Sequence, residues 1–141
     1  MKALRFKAIF EKGSTHHVEV VVHRTKKAMF RALHYKMSAK CLACCRDVPF
    51  PGTKGCVAEL HFRLDELNLN AVVHECTHAA HNRTSLMGFE PGLAREEAIC
   101  TSVGDLVEVV VGHIIAKMSR LQLEGQYDNQ NVSLFARYTK P

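Results

Sequence analysis

The sequence predicts an α+β domain in which a small antiparallel or mixed sheet is followed by two long helices. Three observations carry that expectation. Apolar residues alternate with polar ones over residues 4–11, 17–23 and 56–64, the two-residue period of half-buried strands. The period then lengthens to the helical one, over residues 69–82 and again over 92–118. Between those helices Gly88, Pro91 and Gly92 supply a connection that turns the chain back.

Each element has its own local reason. Leu4, Phe6, Ala8 and Phe10 share one face of the first strand, and Val18, Val20 and Val22 share one face of the second. Lys12-Gly13-Ser14 between them offers a turn, so the two form an antiparallel hairpin. Thr25 can cap a helix through Leu33, where Ala28, Met29, Ala32 and Leu33 recur at helical spacing. Cys56, Ala58, Leu60 and Phe62 line a strand immediately before the first long helix, which Asn68 or Asn70 can cap. In the second long helix Ile99, Val103, Leu106, Val110 and Ile114 form an apolar stripe. Gly104 and Gly112 in that helix cost ~1 kcal/mol each relative to Ala unless they permit close approach by a neighbouring helix.

Residues 40–55 carry a mixed signal. Cys41-Leu42-Ala43-Cys44-Cys45 has a Cys-x-x-Cys spacing, and with Cys56 it invites a structural zinc reading. Such sites repeat the pair at a definite distance, whereas Cys56 stands alone, and small thiols pack well in cores. A packing strand is therefore the expectation, followed by a loop over residues 49–55.

Length and composition bound the class. A chain of 141 residues forms one domain, placed at residues 1–124, with a polar C-terminal tail over 125–141. Hydrophobic residues at 47% and charged residues at 23% exclude wholesale disorder. No apolar run of membrane-spanning length is expected, and the N-terminus alternates charge with apolar residues instead of forming a secretion signal. A cytoplasmic location follows as the expectation, with no membrane partner and the six cysteines reduced. The net charge of +5 is scattered without a compact basic run, so nucleic acid is only weakly supported as a partner.

The chemistry concentrates in Val72-Val73-His74-Glu75-Cys76-Thr77-His78-Ala79-Ala80. On a helix, residues four apart share a face, so His74 and His78 can bring two imidazole nitrogens to one metal ion, with Glu75 one position round. A His-Glu-x-x-His run can also arise by chance in a helix with surface histidines. Here the flanking Ala71, Val72, Val73, Ala79 and Ala80 are small and apolar, as a buried helix requires. A catalytic zinc site takes three protein ligands and leaves one position open. The downstream carboxylates Glu96 and Glu97 are the candidates for the third. His81, three residues past His78, reads either as a substrate or supporting group or as a helix-end histidine near the carbonyl dipoles.

The runs Ala58-Glu59-Leu60-His61-Phe62, Val72 to Ala80 and Glu96-Glu97-Ala98 resemble a short zincin-type metallopeptidase with a glutamate third ligand, of the kind bacteriophages and prophages encode. The resemblance is specific over roughly residues 56–115. It implies a minimal zincin-like fold and Zn2+ held by His74, His78 and Glu97. Glu97 is preferred over Glu96 because the family has a small residue after the ligand, here Ala98. It further implies Glu75 as general base, a peptide or protein substrate held along an edge strand near Leu60, and, for a phage protein, the host cytoplasm. Where thermolysin-like relatives have an acidic residue four positions after the ligand, this chain has Thr101, leaving Asp105 as the substitute to orient a histidine. A second reading is a zinc-stabilised, non-catalytic binding module of phage origin that engages a host protein or nucleic acid. A third is a degenerate phage protein with an intact motif and no turnover.

Overall fold

The alternation read along the strands becomes one buried sheet face. Ala8, Val18, Val20, Val22, Ala58, Leu60 and Phe62 all belong to the main apolar core. The structure, a computed structural model, describes residues 2–34, 41–47 and 55–123. Its elements are β1 (Leu4–Ile9), β2 (His17–His23), α1 (Lys26–Leu33), β3 (Ala43–Asp47), β4 (Cys56–Arg63), α2 (Leu69–Leu86) and α3 (Leu93–Leu123), with one 3₁₀ turn at Leu64–Glu66. The fold is α+β, a four-stranded mixed sheet in the order β1-β2-β4-β3 with three helices.

β1 and β2 form the expected antiparallel hairpin, Leu4 opposite Val22 and Ile9 opposite His17. β2 and β4 run parallel, a pairing that requires a crossover, and α1 lies in it. Thr25 caps α1 as expected, its hydroxyl accepting from the Ala28 N–H at 3.3 Å. The Asn68 carboxamide oxygen likewise accepts from the Ala71 N–H at 2.9 Å and starts α2. α2 buries Val72, Cys76, Ala79 and Ala80, and α3 buries Leu106, Val110, Ile114 and Met118, in the same core.

The structure corrects the expectations in three places. α2 runs to Leu86 instead of residue 82, because Arg83 and Thr84 are buried and their tertiary contacts outweigh a polar local sequence. The Arg83 guanidinium lies 4.7 Å from the Phe10 ring centroid and donates to Glu11 and to the Ser102 hydroxyl, tying α2 to the end of β1 and to α3. His81 is therefore inside α2 and exposed, not at its end. Second, β4 is not an edge strand. The cysteine-rich segment forms β3 along its far side, Ala43 opposite Phe62 and Asp47 opposite Ala58, so Leu60 is paired on both sides. Third, α3 is long and apolar enough to cross a membrane by length and composition. Between Ala98 and Ile115 its only charged side chains are Asp105 and Glu108, although one stripe packs into the core. The tail over 125–141 and most of the loop over 49–55 lie outside the described residues.

Candidate functional site

The site grows from the first turns of α2. With Val72, Cys76 and Ala79 fixed inward, His74 and His78 emerge together on the exposed side. Their Nε2 atoms lie 3.2 Å apart, with the rings edge to face at a centroid distance of 4.8 Å. Glu75, one position round, points inward and is 7% exposed. Burial raises its carboxyl above the usual carboxylate range, opposed by the two imidazoles and by the Cys45 backbone N–H that donates to it. A cleft of about 380 Å³ opens beside these residues, lined by Cys41, Leu42 and Ala43 at the entry to β3 and by Asn70, His74 and Glu75 of α2. The motif helix and the segment leading into β3 thus form its two walls.

Of the residues read from the sequence, the fold brings His74, Glu75 and His78 together. It does not bring Glu97 within 4.8 Å of both imidazoles. Glu96 and Glu97 are both exposed near the start of α3, and Glu97 is two and a half turns from the buried Leu106, hence on the opposite side of the helix. Among the described residues, no group of three ligand-type side chains within 4.8 Å includes the His74–His78 pair. Asp105 is not beside the pair either. It lines a separate cleft of about 640 Å³ with Phe10, Glu11 and His113, because its position on α3 faces β1.

The cysteines divide as the weak spacing suggested. Cys44 lies opposite His61, five residues along β4 from Cys56, a separation of roughly 16 Å at strand rise. Among the described residues, no three-ligand group holds more than one of these cysteines. Cys76, inside α2, is wholly buried in the core, which pushes its thiol up to about 12.

One cluster was missed by sequence reasoning. Ligand atoms of His17, Glu19 and Cys56 all lie within 4.8 Å of one another. The His-x-Glu spacing on one strand face was legible, but nothing local reveals that Cys56, thirty-nine residues later, lies opposite His17. No family model matches the chain, and no curated protein or solved structure is significantly similar to it.

Proposed function

We propose that the cleft between β3 and α2 is the active site of a zinc-dependent hydrolase that cleaves peptide bonds, of the minimal zincin type. The observation that carries this reading is the convergence of the His74 and His78 Nε2 atoms at 3.2 Å beside the buried Glu75. Two nitrogens each ~2.0–2.1 Å from a tetrahedral ion sit ~3.3–3.4 Å apart, so the pair fits zinc. Glu97 is the third ligand in this reading, with Glu96 as the fallback, and the start of α3 has to shift to bring either carboxylate to the pair.

Zinc, when bound, supplies the Lewis acidity that activates water near neutral pH. The chain's own residues do the rest. Glu75, held in a desolvated position, takes the proton from the attacking water and returns it to the leaving amine. The outer edge of β3 can hold an extended peptide by main-chain hydrogen bonds, the role that the paired β4 cannot fill.

Glu75→Gln is expected to keep zinc and abolish cleavage of a peptide library; undiminished turnover rejects the reading. Glu97→Gln or Glu96→Gln must weaken zinc binding, and if neither does the three-ligand site is wrong. The binding-module reading is favoured by one fact, that Glu97 is exposed and forms no three-ligand group with the histidine pair. It predicts that the native chain binds zinc and leaves every peptide intact.

A further inference from the structure

β2 and β4 begin side by side, and there the parallel pairing is irregular. His17 lies opposite Cys56 but Val18 lies opposite Ala58, so Val57 is an extra residue in the ladder. Bulges of this kind re-aim the neighbouring side chains. His17 and Glu19, two apart on β2, share a face, and the bulge brings Cys56 to them. His17 and Cys56 are buried, and Glu19 is half-buried.

Backbone contacts pin this arrangement. The His17 N–H donates to the Gly55 carbonyl at 3.0 Å. Gly55, at φ +85°, approaches so closely that a Cβ there would sit 2.1 Å from the Thr15 carbonyl oxygen. The residues that carry the donors are therefore positioned by the turn into β4 and the start of β2.

The geometry points to a second metal site, in which His17, Glu19 and Cys56 bind a zinc-type divalent ion that clasps β2 to β4, separate from the His74–His78 centre. An imidazole nitrogen, a carboxylate oxygen and a thiolate sulfur form a donor set suited to zinc or cobalt(II) and not to magnesium or calcium. A thiolate and a carboxylate neutralise the charge of a divalent ion, which favours holding it in a partly buried place. Burial, reinforced by Lys7 and opposed by Glu19, lowers the pKa of His17 below the usual imidazole value, which favours the neutral form that a metal binds. Burial also raises the Cys56 thiol, so binding must displace its proton. The Cys56 S–H bond breaks, the sulfur–metal bond forms, and about one proton leaves to solvent per ion bound.

Cobalt(II) added to the full chain under reducing conditions tests this without interference from the first site. A thiolate ligand gives a charge-transfer absorption in the near ultraviolet that nitrogen and oxygen ligands do not. The native chain and the His74→Ala/His78→Ala variant are expected to show that band, and Cys56→Ser to lose it. Glu19→Gln, at a half-exposed position, is expected to weaken cobalt binding at least about tenfold. Absence of the band from the native chain, or its survival in Cys56→Ser, overturns the proposal. If Cys56→Ser does not fold, Glu19→Gln decides: unchanged cobalt affinity overturns the site. Peptide cleavage and its loss in Glu75→Gln are independent of these results, so the two sites stand or fall separately.

Discussion

Gly55→Ala isolates the cost of the close approach that positions β2 against β4. Two penalties add. An L-residue in the left-handed region costs about 1–2 kcal/mol, and Gly55 sits at φ +85°. The new Cβ would also lie 2.1 Å from the Thr15 carbonyl oxygen, so the two segments must part by roughly 1 Å. That movement breaks the 3.0 Å bond from the His17 N–H to the Gly55 carbonyl, for a further ~1–3 kcal/mol. Gly13→Ala is the matched control, since Gly13 has φ +84° but no atom within 4 Å of the added Cβ. Urea unfolding of the two variants should differ by about 2 kcal/mol, or roughly 6–8 °C in Tm for a domain of this size. Equal losses in the two variants would refute the reasoning, because the contact with Thr15 would then cost nothing.

Acid should weaken the fold through His23. Its Nε2 lies 2.9 Å from His61 Nδ1, and burial, with His61 and Arg5 nearby, pulls its pKa down to about 4. The unfolded histidine titrates near ~6.5, so the unfolded chain binds more protons between those values. The stability involved is present above ~6.5 and is lost as pH falls towards 4, about 3 kcal/mol at most. Urea midpoints measured across that window should flatten in His23→Gln; an unchanged slope assigns the effect elsewhere. Arg83→Met removes the guanidinium from the Phe10 ring together with its bonds to Glu11 and Ser102, at a cost of about 2 kcal/mol. A double-mutant cycle with Glu11→Gln should assign less than ~1 kcal/mol to the ion pair, because the Glu11 side chain is 48% exposed. Asn68→Ala removes the cap of α2 and should cost about 1 kcal/mol by thermal unfolding while leaving zinc stoichiometry unchanged.

The elements that could be read from the sequence are those fixed within one turn or one strand repeat. The alternation of Val18, Val20 and Val22, the Thr25 and Asn68 caps, and the helical stripe through Leu106, Val110 and Ile114 each state a local preference that the fold keeps. β3 was harder to read, because Cys41 and Cys44 have a Cys-x-x-Cys spacing that competes with the packing strand expected there, and Arg46 and Asp47 are exposed. The candidate site divides in the same way. His74 and His78 meet because four residues of helix bring them to one face, whereas Glu97 is on another helix and its direction depends on how α3 is rotated against the sheet.

By itself the sequence determined the periods, the caps and the pairing of two imidazoles beside a carboxylate, since each is set by neighbours a few residues apart. Only the tertiary structure decided that β4 lies inside the sheet, that Arg83 is buried on Phe10, and that Cys56 meets His17 and Glu19. Those outcomes depend on parallel strand order and helix rotation, which are selected by the burial of the whole core at once and leave no periodic trace in any one segment.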